Sequence, residues 1–427
     1  MITRLVLPWA TADVVSVVGT RLLALAIPWF VLTSTGSAAQ TGAVAFAEMA
    51  PMVLAKALGG PLIDRIGAAR VAVAADLVSV PLVLAIPLLH AAGLLSMPLL
   101  IAIVAVLGTA RGPGDAAKQA LVPEVSGRSG WSLERISGIA GTSERLASTV
   151  GLAAGGVLIA AVGAIATIWV TAVALLGCAA LIGLLVRPAL RPVEADRSVA
   201  SPPAVSTLES HESPSTPTGY VNQLREGWRF VMTDPVILAI TIMVALTNLL
   251  DQAWVIVLVP SWALRHDLDA SAVGWTFAVM TGGAVVGSAL ASLLAERLPR
   301  RPVYLIAFLL AGAPRYAAPA LDLPLLGVLA VVLVSGFASG FINPILSAVL
   351  FERIPTQLVG RVSALTTAIC WSLMPFGGLL AAALMTPLGV SGALWACGAL
   401  YLVVTVAPAL LPAWRELDDR RIPQRRE

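Results

Sequence analysis

The residues best placed to do chemistry in this chain are ionisable groups set inside long apolar stretches. Arg21 and Glu48 stand near the middle of two such stretches. Asp251 stands in a third, with Asn248 one turn before it and Trp254 beside it. Arg111, Asp115 and Lys118 share a fourth, and Glu144 and Arg145 begin a fifth at a comparable depth. A charge at the centre of a hydrocarbon slab costs about 2.5–3.5 kcal/mol on insertion scales, so each needs a partner, a wet cavity or a task. The tasks open to it are proton exchange, ion pairing that changes partner, and electrostatic recognition. Covalent catalysis is not in the pattern: no Ser/His/Asp or His-Glu-x-x-His spacing occurs. No Gly-Lys dipeptide occurs either, which excludes a phosphate-binding P-loop and a built-in ATPase. His90, His211 and His266 are scattered, and Cys178, Cys370 and Cys397 each lie in an apolar run. An odd number of thiols at that depth argues against disulfides and against a metal site, and no cofactor is expected.

The elements that must position these groups are apolar windows repeating along the whole chain. The hydrophobic fraction is 58%, the charged fraction 12% and the mean hydropathy +0.90, far from a soluble domain. A bilayer core takes about 20 apolar residues per helix. The windows run Pro8–Leu32, Ala38–Leu62, Val71–Ala92, Met97–Val122, Ile136–Gly163, Ile165–Arg187, Pro235–Trp262, Ser271–Leu294, Val303–Ala320, Leu325–Leu350, Val362–Thr386 and Gly392–Leu411. They are too long, and alternate too little, for β-barrel strands. The reading is an all-α integral membrane protein with twelve transmembrane helices. A cleaved leader is not expected, because the first apolar run continues to Leu32.

Arginine sets the orientation. Arg4, Arg65, Arg70, Arg128, Arg135, Arg187, Arg297, Arg300, Arg353, Arg361 and the tail arginines fall on one set of connections; the other set holds Arg265 and Arg315. The positive-inside rule puts both termini in the cytoplasm of a cell-membrane protein. Residues 188–218 are rich in Pro, Ser, Thr and Glu and read as a cytoplasmic linker. After it, Val221, Leu224, Trp228 and Val231 fall on one face of an interfacial helix. The expected division is residues 1–187 as a first six-helix bundle, 188–234 as linker and amphipathic helix, 235–412 as a second bundle and 413–427 as a basic tail.

The halves echo each other. Gly42 and Gly274, Asp64-Arg65 and Glu296-Arg297, and Pro123 and Pro355 are each 232 residues apart. A duplicated half with matching polarity implies a pseudo-two-fold axis along the membrane normal, an architecture used for alternating access.

Two motifs carry a family resemblance. Gly60-Pro61-Leu62-Ile63-Asp64-Arg65-Ile66-Gly67-Ala68-Ala69-Arg70 resembles the signature between spans two and three of the major facilitator superfamily, with Ala68 and Ala69 replacing basic residues. Ala26-Ile27-Pro28-Trp29 and Thr35-Gly36-Ser37-Ala38 are similar to the branch of macrolide-efflux proteins and enterobactin exporters. In span five Gly138, Ala147, Gly151, Leu152, Gly155 and Gly156 resemble the antiporter signature, Leu152 standing where a kinking proline is expected. Small-residue helix packing also accounts for these glycines, and for Gly283-x3-Gly287 and Gly336-x3-Gly340.

The resemblance implies a gate in which Asp64 meets the start of span eleven near Arg361, worth about 0.3–1 kcal/mol of charge–dipole attraction. It implies a cavity lined by spans one, four, seven and ten, with Asn343-Pro344 breaking span ten. There Asp251, a carboxylate with no base in its own span, is the expected site of proton coupling or cation binding. Glu48 is expected to pair with Arg21 or to carry a proton, and Arg111 to pair with Glu144. Lys56 is expected to snorkel, and Asp13 and Asp76 to be hydrated at span ends. The whole reads as a proton-coupled efflux transporter for a lipophilic small molecule, a monomer in lipid that does not bind nucleic acid. The alternatives are a metabolite or siderophore transporter of other direction or coupling, and a membrane subunit that transports nothing.

Overall fold

The computed structural model describes residues 3–190, 220–294, 300–355 and 358–410. Glu296 and Arg297, linker residues 191–219 and the tail from residue 411 lie outside the described residues. Ten helices among the described residues are long and apolar enough to cross a membrane. Spans one to four are Leu5–Thr35, Ala38–Leu58, Ala68–Ala91 and Met97–Ser129; spans seven to ten are Pro235–Arg265, Ala270–Leu294, Pro302–Ala320 and Leu325–Leu346. The other two, Arg135–Ala189 and Arg361–Val406, have 55 and 46 residues, more than twice the length a bilayer requires.

Each of these two long helices is a pair of spans joined at a glycine. Gly163 has φ 85° and Gly389 φ 67°, a left-handed conformation that only glycine adopts without cost. The packing shows the reversal. Gly151 lies against Val18 and Arg21, while Thr171 and Ala174 lie against Gly19, on the same turn of span one. In a straight helix residues 151 and 171 would be about 30 Å apart. Gly377 likewise sits on Leu249 and Ala253 of span seven, and Tyr401 on Gly312 of span nine. Spans five and six are therefore residues 133–162 and 164–189, and spans eleven and twelve are 361–388 and 390–406. The described residues thus form twelve spans in two bundles of six.

Local chemistry starts these helices where the sequence supplies it. The Ser37 hydroxyl accepts from the Gln40 amide at the head of span two. The Asp234 carboxylate accepts from Val236 and Ile237 at the head of span seven. Such caps satisfy amides that have no partner within the helix. In the turn before span eight, the Ser271 hydroxyl and amide donate to Asp269 and hold its carboxyl below the ordinary range.

Leu184, Leu293 and Leu326 point outward and are more than 70% exposed, as on a surface solvated by acyl chains. Where lipid is the solvent, helices adhere through close backbone approach rather than burial from water. Gly108 and Gly112 set span four against the backbone of Glu48, Met52 and Lys56. Gly283, Gly287, Gly336 and Gly340 do the same between spans eight and ten.

The bundles meet along two seams. Gly42 of span two faces Gly378 of span eleven, and Gly156 of span five faces Gly274 of span eight. The repeat landmarks Gly42 and Gly274 thus occupy equivalent crossings. A Cβ on Gly274 would stand 2.7 Å from the Cα of Gly156. These crossings lie toward the end of the molecule that carries the turns at Gly36, Gly163 and Gly389. Toward the other end, on the span two–eleven side, Phe46 packs on Phe376 and the Lys56 ammonium stands 4.5 Å from the Trp371 ring centre. On the span five–eight side the seam widens instead. Built Cβ atoms on Gly138 and Gly141 meet nothing within 4 Å, and a cavity opens between the bundles.

The amphipathic helix, Tyr220–Thr233, packs across the foot of spans seven, ten and eleven. Val231 is buried there, while Trp228 is half exposed. These two residues do not share a buried face, because the supporting spans contact only the side of the helix that holds Gly227 and Val231.

Candidate functional site

Most of the ionisable groups named from sequence lie in the first bundle, and their partners differ from those expected. Glu48 pairs with Arg111 at 3.7 Å, both largely buried, rather than with Arg21. Arg111 also donates to the Thr20 hydroxyl. Arg21 donates through Nε to Ser148 Oγ at 3.1 Å. Glycine decides this pairing. With Gly108 and Gly112 pressed on span two, Arg111 is carried to Glu48 and away from Glu144. Arg111–Glu144 is therefore not a pair.

Asp76 is not a hydrated span end. Its carboxylate is 3% exposed, and the Lys118 ammonium donates to it and to Ser16, each at 2.7 Å. Three spans converge there, which keeps water away from a residue that sequence depth alone placed near the surface. The Lys56 ammonium lies over Trp371 of the other bundle.

Asp251 is not a lone carboxylate. Arg315 of span nine, 4% exposed, donates to it. The same guanidinium lies 4.9–5.3 Å from the ring centres of Tyr401, Tyr316 and Trp254. Arg315, read from sequence as part of a loop, is a buried cation in an aromatic cage. Its signal was legible: it is the one charge between Pro302 and Ala320, so another span had to supply the counter-charge. Asn248 donates to the Cys370 carbonyl at 3.0 Å and ties span seven to span eleven.

Glu144 and Asn343 come together, although neither was paired with the other in advance. They line a cavity of ≈ 420 Å³ with Ser148 of span five, Thr281 and Ser288 of span eight and Ser339 of span ten. Span ten breaks at residues 340–341, before Asn343-Pro344. Pro344 falls in the first turn of the following helix, where a missing N–H leaves no bond unmade. Arg21 and Asp13 lie within electrostatic reach of Glu144 and Asp115. Glu144 thus carries the charge on the cavity wall, with Arg21, Asp13 and Asp115 behind it in the first bundle.

The residues expected to form a gate lie together at one short helix, away from the head of span eleven. Gly60, Asp64, Arg65, Gly67 and Arg70 belong to or flank the short helix Gly60–Ile66, and all five are exposed. Asp64 makes no ion pair among the described residues. Arg361 at the start of span eleven pairs instead with Glu226 of the amphipathic helix, at 3.0 Å, a partner that sequence reading missed. The span-five glycines divide: Gly151 and Gly155 pack on span one, Gly156 faces Gly274, and Gly138 touches nothing.

Two bundles joined at one end and parted at the other, with ionisable groups between them, define a transporter that works by alternating access rather than an enzyme. The sequence profile of the Major Facilitator Superfamily matches residues 10–250 and 241–427, and the chain belongs to that family. It is 33% identical over 413 residues to the multidrug efflux pump Tap of Mycobacterium tuberculosis, covering 95% of this chain and 93% of the relative. It is 29% identical over 404 residues to the pump of the same name from Mycolicibacterium fortuitum, covering 94% of each. Among solved structures it resembles the nucleoside transporter NupG, with TM-score 0.68, 12% identity, and 94% of this chain and 98% of that one covered. It also resembles a bacterial homologue of the lysosomal transporter Spinster in an inward-facing, unoccupied conformation, with TM-score 0.66, 15% identity and 98% of each covered. At these identities the structures speak for the fold alone.

Proposed function

We propose that the chain is a proton-coupled exporter of lipophilic small molecules, built as rocking bodies of residues 1–187 and 235–412 joined by the 188–234 linker. Both curated relatives carry the name multidrug efflux pump. The observation that carries the coupling is the Glu48–Arg111 pair. It is loose at 3.7 Å, shares its guanidinium with Thr20, and stands one helix away from the Arg21–Ser148 contact. Protonation of Glu48 would leave Arg111 with Thr20 alone, an uncompensated charge that favours rearrangement of the groups between the bundles. With the termini cytoplasmic, the parted end faces the cytoplasm, so the structure is the state that loads an exported substrate. The sparse polarity of the spans suits a lipophilic cargo. The protein works as a monomer in lipid.

The test uses purified protein in proteoliposomes with a set pH gradient and the membrane potential clamped. Efflux of a fluorescent dye should follow the gradient and be accompanied by counter-movement of protons. Transport indifferent to pH would overturn the coupling, and accumulation in the opposite sense would favour an importer.

A further inference from the structure

The cavity between spans five, eight and ten has a chemical character of its own. One charged group lines it, the Glu144 carboxylate. Around it stand the Ser148, Thr281 and Ser339 hydroxyls and the Asn343 amide, with Ala284 and Val285 as apolar wall. Its volume of ≈ 420 Å³ is in the range of sites for small organic molecules, roughly 300–1,000 Å³. Other carboxylates of the first bundle already have a cation: Glu48 has Arg111 and Asp76 has Lys118. Glu144 has none. Arg21, close enough to act on it electrostatically, aims its Nε at Ser148 instead.

We infer that this cavity binds an organic cation, with Glu144 as the counter-ion. The chemistry sorts the alternatives. An anion would meet the carboxylate head-on. A neutral polyol would use the hydroxyls but strip water from the exposed carboxylate without compensating its charge. A hard metal ion would require several carboxylates, where this cavity has one. A cation with an apolar body satisfies every wall: charge on Glu144, any donors on Ser148, Ser339 and Asn343, and hydrocarbon on Ala284 and Val285. The walls belong to different bundles, and the Gly156–Gly274 crossing lies about 12 Å further along span five from Ser148. Rocking about that crossing changes the span from Glu144 to Asn343, so the cation is gripped in one state and released in the other. This role in transport rests on the exporter reading above; the binding itself does not.

The experiment compares two probes of one shape and opposite charge, tetraphenylphosphonium and tetraphenylborate, on the full-length protein in nanodiscs. The ratio of their affinities, taken against empty nanodiscs, removes membrane partition. The protein should prefer the cation, and Glu144→Gln should weaken cation binding by about 10-fold or more, one lost charge contact. Val285→Lys, which sets an ammonium across the cavity from Glu144, should do the same without touching the carboxylate, and it decides the matter where Glu144→Gln does not fold. No cation preference in the unaltered protein, or an unchanged ratio in both variants, overturns the inference. If the ratio is unchanged while pH-driven efflux persists, the cation site falls and the exporter reading stands. If the ratio behaves as expected while efflux ignores pH, the reverse holds.

Discussion

The two bundles share an architecture and differ in how they hold charge. In the first, Glu144 lines the opening while other acids and bases are buried behind it, and those have more than one polar neighbour within reach: Arg111 contacts both Glu48 and Thr20, and Lys118 both Asp76 and Ser16. In the second, Arg315 donates to Asp251 and to the Tyr316 hydroxyl, and the pair is boxed by the rings of Trp254, Tyr316 and Tyr401. A guanidinium surrounded by rings has one carboxylate to go to. The difference teaches that a carboxylate at membrane depth is not by itself a proton site. What matters is whether its partner can be exchanged.

The comparison is most exposed at Asp251. Asp251 is partly exposed, but removing its charge leaves the buried Arg315 guanidinium uncompensated, at a cost of about 3 kcal/mol or more. Asp251→Asn should therefore lower the thermal unfolding temperature by many degrees, and replacing both residues by apolar ones of similar size (Asp251→Leu with Arg315→Met) should restore most of it. If Asp251→Asn instead melts like the unaltered protein and stops transport, the pair is a working element and the contrast between bundles collapses.

Glu48→Gln is the counterpart in the first bundle. Arg111 keeps Thr20, but its guanidinium is as buried as that of Arg315, so the loss in stability should be of the same order, about 3 kcal/mol. Proton-driven efflux should drop by about 10-fold or more, the yield expected of a positioned proton carrier at the least, while downhill dye exchange without a gradient persists. Equal loss of both would make Glu48 a structural residue like Asp251.

How much of this was legible follows from what sequence encodes. Span number and the reversal at each hydrophobic gap are properties of position along the chain, and they read directly; the burial of a charge does not, as Asp76 and Arg315 show. Which way a residue faces around its helix axis is set by packing. Arg111 meets Glu48 because Gly108 and Gly112 draw span four onto span two, and only a known neighbour makes that clear. The Gly42–Gly274 repeat did hold azimuthal information: both glycines mark the face that crosses to the other bundle. Arg315 shows the opposite failure, a charge assigned to a loop because its span is short and broken at Gly312.

The seams offer a finer test. A side chain at Gly42 would strike the backbone of Gly378 and Leu379, which cannot yield as a flexible side chain does, and overpacking of this kind costs about 1–3 kcal/mol. Gly42→Val should force the bundles apart at their joined end. Spin labels on Thr35 and Leu388, on different bundles near that end, should move apart by a few ångströms, with transport reduced several-fold. An unchanged distance would mean that the crossing is not what holds the bundles together.

The smallest effect is expected at the parted end, where Glu226 and Arg361 form an exposed pair. Such pairs are worth about 0.2–1 kcal/mol, so Glu226→Gln should leave the melting temperature almost unmoved. Its consequence lies in competition. If closure brings Asp64 to the head of span eleven, then Arg361 must leave Glu226 for that step. Removing Glu226 favours closure by up to the same energy, a population shift of at most about five-fold. Transport limited by closure should rise by that factor, and the rise should shrink in high salt. Asp64→Asn should lower transport without altering insertion or stability, and in the double variant the gain from Glu226→Gln should vanish, because Arg361 then has no carboxylate to be released to. Independent, additive effects of the two changes would show that Arg361 does not pass between them.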